Sequence, residues 1–377
     1  MSAEDLPRAL GKRLPPVWAV EPGLRVRNLL GKAHRQMMPP AMPVLEQMDR
    51  MIEVRLVAVA CELGLPDALA HGPRTAADLA GAGGLDADAA FRVLRYLTSK
   101  GWFRVEGGGP PAAASAFGLT TTGSLLRADH PDGLRDWARF AGADWMSTIW
   151  SHAAHTVRTG ESASVAATGQ EFFAFLDANP AADALFDGAM RSGSGLQSQL
   201  LVDAVDFTRF GRICDVAGGT GRTLATVLAA APSAQGVLVE RETVIDRAEQ
   251  ELTGRPEARR VELVVGDMFA GVPAGCDCYL LLAVVHDWDD AAAVTILSHV
   301  RDQMGLVGRA VVVEAVVPAR SDADFSTMAD VLMLVLTGAG RERTHDEFVA
   351  LFDAAGLRID HETVLPNLFH AFELAVS

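Results

Sequence analysis

The stretch Ile213-Cys-Asp-Val-Ala-Gly-Gly-Thr-Gly-Arg-Thr-Leu224 decides the fold class. An apolar run ends in an acid, a turn of small residues follows, and an apolar-periodic segment then continues toward Pro232. A buried strand, a glycine turn and a helix together form the crevice in which α/β sheets hold nucleotide-like ligands. Glycine permits the sharp turn and lets a ligand approach the backbone closely. We therefore expect the ligand to contact this segment at Asp215, Gly218, Gly219 and Gly221.

A second predicted strand, Gly236-Val-Leu-Val-Glu240, ends in a carboxylate. A carboxylate about 20 residues beyond the glycine turn is placed to accept hydrogen bonds from ribose hydroxyls. Nicotinamide-dependent enzymes share this arrangement, so Glu240 alone does not choose between ligands. Their fingerprint, however, has a third small residue in the first helical turn, where this chain has Leu224.

A third predicted strand, Val261-Glu-Leu-Val-Val-Gly-Asp267, carries another acid at its end. Asp267 is placed to accept from an adenine amino group, and the apolar pair Met268 and Phe269 follows to pack against the ring. Carboxylates along one edge of a sheet suit a ligand that carries positive charge rather than phosphates.

These motifs, taken in order, resemble a known family. They are the glycine turn with its Asp215, then Glu240, the Gly-Asp-Met-Phe of 266–269, the His-Asp-Trp-Asp-Asp of 286–290, Glu314, and the Gly-Arg-Glu-Arg-Thr of 340–344. The chain resembles the S-adenosylmethionine-dependent O-methyltransferases of small aromatic molecules from about residue 45 to the C-terminus. That family includes plant phenylpropanoid enzymes and bacterial enzymes that tailor aromatic natural products.

The resemblance implies an α/β protein: a Rossmann-like class I methyltransferase domain with an N-terminal, mostly helical winged-helix dimerisation domain. We expect a loosely ordered extension over residues 1–40, the dimerisation domain with linker helices over 41–195, and the cofactor-binding domain over 196–377. The cofactor implied is S-adenosyl-L-methionine, and the assembly implied is a homodimer.

His286 is the candidate general base, because it follows the apolar strand Tyr279–Val285 at the edge where ligands sit in open α/β folds. A phenol with a pKa of about 10 is a poor nucleophile at neutral pH, whereas an imidazole with a pKa of about 6.5 can take its proton. The imidazolium that forms needs an acid to orient and stabilise it. By resemblance, Glu314 and Glu342 bracket His286 and complete the catalytic set.

The acids after His286 have other interpretations. Asp287 is the alternative orienting acid or a helix cap, and it is also a candidate contact for the acceptor. Asp289 and Asp290 are expected in the first turn of the following helix, where carboxylates offset the helix dipole. Together with His286 these acids superficially supply metal ligands. Their adjacency at a helix start would splay them apart, so we expect no metal.

An adaptable apolar pocket is expected for an aromatic acceptor, since methionines and aromatic side chains accommodate flat, variable rings. Ordinary core packing is the alternative role for each of its members. Asp330 stands amid apolar neighbours, where a carboxylate would contact a substrate hydroxyl. The acceptor-binding residues expected are Trp145, Met146, Met190, Asp287, Trp288, Asp330 and Met333.

The N-terminal half predicts a winged helix. A helix is expected from Val44 to Leu69, others begin at the caps Thr75 and Asp86, and two short strands follow around 102–105 and 117–120. Such modules often bind DNA, but the third helix is strongly apolar and the chain has a net charge of −15. An acidic chain does not suit phosphate backbones or anionic membranes. We therefore expect neither nucleic acid nor membrane as a partner.

Targeting and redox signals are absent from the sequence. The proline-interrupted N-terminus does not resemble a signal peptide, no apolar run approaches the length of a membrane span, and four cysteines in 377 residues do not indicate a disulfide framework. These observations predict a cytoplasmic protein.

Two positions depart from the family pattern. Ala217 replaces the first glycine of the turn, and Leu282 stands where many plant members have a lysine. The departures weaken any transfer of plant substrates but not methyl transfer. Two alternatives stay open: C- or N-methylation, decarboxylation or hydroxylation on the same scaffold, and a ligand-sensing regulator built on the winged helix.

Overall fold

The computed structural model describes residues 17–131, 133–319 and 325–377. The helices are α1 Val17–Met37, α2 Met42–Glu62, α3 Leu65–Ala68, α4 Ala76–Gly83, α5 Ala87–Ser99, α6 Thr121–Ser124, α7 Arg135–Ala141, α8 Asp144–Trp150, α9 Ala153–Thr159, α10 Ala163–Thr168, α11 Phe172–Ala178, α12 Pro180–Ala204, α13 Arg222–Ala230, α14 Glu242–Leu252, α15 Asp290–Met304, α16 Phe325–Leu336 and α17 His345–Ala354. The strands are β1 Arg74–Thr75, β2 Phe103–Val105, β3 Ala116–Leu119, β4 Arg212–Val216, β5 Gln235–Glu240, β6 Val261–Val265, β7 Cys278–Leu282, β8 Arg309–Val317, β9 Arg343–Thr344, β10 Leu357–Val364 and β11 Phe369–Val376.

The chain forms two compact units. Of the described residues, the smaller holds those in 36–151 and 176–193, and the larger holds those in 17–35, 152–175 and 194–377. This division differs from the boundary at residue 195 that we expected between the dimerisation and cofactor-binding domains. Residues 152–175 belong with the larger unit because α9 and α10 pack against α16. The hydroxyl of Ser162 also donates to the carbonyl of Leu336 at 2.7 Å.

The smaller unit contains the predicted winged helix. Thr75 and Asp78 form a capping box at the start of α4, and the Asp86 carboxylate caps α5. These caps satisfy backbone N–H groups that a helix start leaves without partners. The wing strands β2 and β3 pair antiparallel, with β1 on the other side of β3. The core of this unit includes Leu94, Leu97, Phe103 and Phe117.

The N-terminal segment differs from the expected loosely ordered extension. Val17–Met37 form a helix, whereas residues 1–16 lie outside the described residues. Between Pro22 and Pro39 the segment has no proline and is rich in Leu, Arg, Lys, Gln and Met. These residues favour helix, and this preference outweighs the weak apolar periodicity on which the expectation rested.

The larger unit is built on one mixed sheet with the strand order β10-β11-β8-β7-β4-β5-β6. Strands β4 to β8 run parallel, as predicted, and the C-terminal hairpin β10–β11 adds an antiparallel edge that the sequence analysis did not anticipate. The chain proceeds from β4 to β5 and β6 on one side, and then to β7 and β8 on the other. The strand order therefore reverses between β4 and β7, and in such sheets ligands bind outside the carboxyl ends at this reversal.

Both faces of this sheet are buried. One face packs with α15 and α17 around Phe348 and Phe372, and the other packs with α13 around Leu224 and Leu228. All the cysteines are buried free thiols. The sequence analysis predicted no disulfide framework. Among the described helices, none combines the length and apolar character needed to cross a membrane.

Candidate active site

The glycine turn after β4 is shaped by its own packing. A Cβ on Gly218 would lie 2.4 Å from the Asp215 carboxylate and 2.7 Å from Leu238 Cδ1, so only glycine fits there. Gly219 has a φ of 58°, in the left-handed region that favours glycine. Ala217, which departs from the family pattern, also adopts a φ of 53°. The backbone turn is therefore kept at a local conformational cost of roughly 1 kcal/mol.

Two acids lie at this turn. Asp215 is 1% exposed beneath it, and its Oδ2 accepts no hydrogen bond from the described residues. Burial, with a contribution from nearby Glu240, raises the pKa of Asp215 to about 7. Glu240 accepts from the backbone N–H of Arg241 at 2.7 Å and of Gly219 at 3.3 Å. The turn leaves no room for a Cβ at Gly218, and the carboxylates of Asp215 and Glu240 lie at the ends of β4 and β5. This arrangement fits a ligand with ribose hydroxyls and a positive charge.

The third acid belongs to a short turn after β6. Asp267 Oδ1 accepts from the N–H of Phe269 at 2.9 Å, and the carbonyl of Met268 lies 3.0 Å from His299 Nδ1. Phe269 contacts the Trp288 indole edge to face, with ring centroids 4.6 Å apart. Met268, Phe269 and Trp288 all pack against the same apolar cluster as Ala217. The ends of β4 and β6 thus border one apolar wall.

His286 lies in a single 3₁₀ turn, Val285–Asp287, just beyond β7. Its Nδ1 is 3.0 Å from Glu342 Oε1 and 3.4 Å from Glu314 Oε2, while its Nε2 is 3.7 Å from Asp287 Oδ1. Glu314 is completely buried, and its Oε1 accepts from the N–H groups of Val284 and Val285 at 3.0 and 2.7 Å. The structure thus brings together the imidazole and the two carboxylates that the sequence analysis grouped with it.

The electrostatics of this cluster favour a charged imidazole. Burial alone would lower the pKa of His286, but Glu314, Asp287 and Glu342 outweigh it and raise the pKa to about 10. Burial raises the pKa of Glu314 to about 7 and that of Asp287 to about 6. Without a ligand, His286 therefore holds a proton at neutral pH.

Asp330 has a structural contact where we expected a substrate contact. Its Oδ1 accepts from the backbone N–H of Glu342 at 3.0 Å, which holds the loop that carries this acid. Gly340 lies in the same loop, and a Cβ there would come within 2.8 Å of the His286 carbonyl. The N–H of Arg341 donates to that carbonyl at 2.8 Å.

Arg343 is a buried residue that the sequence analysis did not single out. Its side chain is completely buried and donates to Asp290 and to the carbonyls of Val285 and Trp288. Arginine is usually exposed, so only its place in the Gly-Arg-Glu-Arg-Thr motif hinted at a role. As expected, Asp289 caps α15 and Asp290 lies in its first turn, where Asp290 is also bound by Arg343.

The predicted acceptor residues are distributed over both units. Trp145, Met146 and Met190 belong to the smaller unit, and Asp287, Trp288, Asp330 and Met333 to the larger. Met146 is 2% exposed, as an ordinary core residue would be, and Met190 is 38% exposed. In the larger unit, Trp288 stacks on Phe173 with ring centroids 6.3 Å apart, in addition to its edge contact with Phe269.

The spacing of the His286 cluster raises the question of a metal. One nitrogen and one oxygen from each of the two glutamates lie within 4.8 Å of one another, a separation that a metal ion could also exploit. Asp289 and Asp290, which the sequence analysis considered, have partners of their own. We interpret the cluster as an acid–base group in which the carboxylates orient the imidazole. Dialysis of the enzyme against a chelator distinguishes this interpretation from a metal site.

Comparisons with known proteins identify the family. The O-methyltransferase domain model matches residues 150–358, and the O-methyltransferase dimerisation domain model matches residues 45–129. The mitomycin biosynthesis 6-O-methyltransferase of Streptomyces lavendulae is 37% identical over 82% of this chain and 86% of its own length.

Solved structures give the same result. The mitomycin 7-O-methyltransferase superposes with a TM-score of 0.82 at 34% identity, over 92% of this chain and all of that one. An O-methyltransferase from neocarzinostatin biosynthesis, solved with S-adenosylmethionine and 2-hydroxy-5-methyl naphthoic acid, gives a TM-score of 0.71 at 32% identity, over 86% and 96% of the two chains. The chain therefore belongs to the S-adenosylmethionine-dependent O-methyltransferase family.

Proposed function

We propose that this enzyme methylates a phenolic or polycyclic aromatic hydroxyl in natural-product biosynthesis, with His286 as the general base. The observation that carries the proposal is the imidazole between Glu314 and Glu342 at the end of β7, next to the glycine turn that ends β4. The similarity to enzymes named for mitomycin and neocarzinostatin biosynthesis supports an aromatic acceptor.

The residues of the cofactor side have separate roles in this proposal. Bound S-adenosylmethionine supplies an electrophilic methyl group on a positively charged sulfur. Gly218 and Gly219 would leave room for its close approach to the backbone, Glu240 would accept from its ribose hydroxyls, and Asp267 would accept from its adenine amino group. Asp215 would lie beneath the turn as a further acid, and Met268 and Phe269 would pack against the adenine ring.

The orientation of the imidazole decides which of its nitrogens holds the proton. Because Nδ1 faces two carboxylates, the proton of the neutral ring is assigned there, which leaves Nε2 to take the proton of the acceptor hydroxyl. Glu314 and Glu342 then stabilise the imidazolium. The raised pKa makes His286 a strong base that must first lose its resting proton, and a cationic ligand nearby favours that loss. Trp288 and Met333 are proposed to contact the aromatic acceptor.

An assay of the purified enzyme with S-adenosylmethionine and a panel of hydroxylated aromatic compounds tests this function. The expected product is a methyl ether, identified by mass spectrometry and nuclear magnetic resonance, with the same rate before and after exhaustive dialysis against a chelator. A methyl group found only on carbon or nitrogen would overturn the assignment of the acceptor atom. Activity lost to the chelator and restored by a divalent cation would instead assign the His286 cluster to a metal.

Replacing Glu240 with alanine tests the assignment of the cofactor side. A hydrogen bond to a charged group contributes about 1.5–3 kcal/mol, so we expect affinity for S-adenosylhomocysteine to fall by roughly 10- to 100-fold. Isothermal titration calorimetry measures this directly. Glu242→Ala is the matched control, because it removes the same charge from an exposed position two residues away. Equal affinities for the two variants would show that Glu240 does not bind the cofactor.

The assembly we propose is a homodimer, consistent with the matched dimerisation domain. Helix α2 presents large apolar side chains to solvent, among them Val44 at 71%, Met48 at 65% and Met51 at 63% exposed. An apolar surface of this kind is typical of a stable protein interface. Sedimentation velocity is expected to give twice the chain mass at micromolar concentration, and a monomer there would overturn the proposal.

A further inference from the structure

Arg343 connects the two segments that meet at the candidate base. Its Nε and Nη2 lie 2.9 and 2.8 Å from Asp290 Oδ1. Its Nη1 donates to the carbonyl of Val285 at 3.1 Å, and Nη2 donates to that of Trp288 at 2.9 Å. Nη1 also lies 3.5 Å from the carbonyl of Arg341. One guanidinium therefore contacts three backbone carbonyls on two segments and a carboxylate.

The positions of these contacts along the chain show which parts of the site Arg343 connects. Val285 and Trp288 stand on either side of His286, so Arg343 holds both ends of the turn that carries the imidazole. Arg343 itself directly follows Glu342, whose carboxylate lies 3.0 Å from His286 Nδ1. The guanidinium therefore links the turn that carries the base to the residue directly after the acid.

Burying this cation is costly for the fold. The Arg343 side chain is 0% exposed and has a single carboxylate partner, Asp290, which is itself 63% exposed. Buried ion pairs commonly contribute no more stability than apolar side chains of similar volume. The planar guanidinium of arginine presents several N–H donors in a fixed arrangement and can hold several acceptors at once, which the ammonium of lysine does not do. The contacts of Arg343 thus favour a role in geometry over one in stability.

We propose that Arg343, anchored by Asp290, is a positioning residue that keeps Glu342 within hydrogen-bonding distance of His286. This inference rests on the proposed function of His286 as the base. Glu314 has its own backbone donors, the N–H groups of Val284 and Val285, whereas the Glu342 carboxylate belongs to the residue directly before Arg343, so we expect the loss of Arg343 to affect Glu342 more than Glu314.

The predicted consequence is a change in pH dependence. The charged groups that face His286 are Glu314, Asp287 and Glu342. When Glu342 retreats, the imidazolium loses part of its stabilisation and the pKa of His286 falls toward its ordinary value. The neutral, reactive ring then forms at lower pH. The ascending limb of the kcat profile consequently moves to lower pH, while the plateau drops because the orienting contact is weaker.

The experiment compares four variants of the full-length enzyme with the wild type, at saturating S-adenosylmethionine and a phenolic acceptor. Arg343→Lys and Asp290→Ala weaken the positioning contacts, Glu342→Gln removes the acid itself, and Arg341→Lys is the matched control on an exposed arginine nearby. Profiles of kcat against pH, the KM for the cofactor and the melting temperature are measured for each.

We expect Arg343→Lys and Asp290→Ala to move the ascending limb about one pH unit or more toward that of Glu342→Gln. Their plateau kcat should fall roughly 10- to 100-fold, because small misplacements of a reacting group have effects of this size. The KM for the cofactor should stay within about twofold, and Arg341→Lys should behave as the wild type.

The outcomes separate this inference from the proposed function. If Glu342→Gln shifts the profile but Arg343→Lys and Asp290→Ala lower only the melting temperature, Arg343 is structural and the inference is wrong. If Glu342→Gln itself changes neither the profile nor kcat, the proposed role of the acid fails first. If Arg343→Lys does not fold, the pH profile and melting temperature of Asp290→Ala decide between a positioning and a structural role, because this substitution alters only the exposed carboxylate of the ion pair.

Discussion

We expect the replacement of His286 with alanine to lower kcat for a phenolic acceptor by about 10²–10⁴-fold, the usual contribution of a positioned general base. The reason is the arrangement at the end of β7, where two buried carboxylates face Nδ1 and leave Nε2 for the substrate proton. Affinity for the cofactor is expected to stay close to that of the wild type. Single-turnover kinetics with isotopically labelled S-adenosylmethionine measure the loss without interference from product release.

The matched control is His345→Ala, which removes an imidazole three residues beyond Glu342. His345 is 45% exposed and pairs with Glu362 rather than with the cluster, so its loss should change kcat little. If His286→Ala retained a rate within about threefold of the wild type while the control behaved the same, His286 would not be the base.

Replacing Gly218 with alanine is expected to destabilise the enzyme by about 3 kcal/mol, the upper end of the usual effect of overpacking. The added Cβ would lie 2.4 Å from the buried Asp215 carboxylate and 2.7 Å from Leu238 Cδ1, and neither neighbour has room to move. Chemical denaturation without cofactor measures the change in the free energy of unfolding.

Gly219→Ala is the control, because its Cβ would meet nothing within 4 Å. Its cost comes only from the φ of 58° and should be roughly 1 kcal/mol. Destabilisation of Gly218→Ala no larger than that of Gly219→Ala would contradict the packing that we describe at the turn.

The sequence predicted the parallel core of the sheet and the winged helix because local signals are strong there. Apolar runs that end in acids marked the parallel strands, and Thr75 and Asp86 marked helix starts that the structure confirms. The C-terminal hairpin was not anticipated. Its strands follow α17 without a motif, and pairing with β8 is a long-range event that local patterns do not encode.

The residues of the candidate active site could be predicted from the sequence where they belong to a recognisable strand or motif. His286 follows β7, Glu314 ends the apolar run of β8 although the strand itself continues to Val317, and Glu342 occupies a quoted motif; the sheet order brings the three together. Partners set by tertiary contacts were not predictable. Asp330 was expected to meet the acceptor but holds the backbone of Glu342, and Arg343 was overlooked because nothing in a sequence marks an arginine as buried.

A series of phenolic acceptors with graded acidity tests the central claim most directly, by comparing His286→Ala with the wild type at one pH. A general base matters only while the acceptor still holds its proton. The account predicts a loss of about 10²–10⁴-fold for phenols with a pKa near 10, shrinking toward no loss for phenols already ionised at the assay pH. An equal loss across the whole series would contradict proton removal by His286.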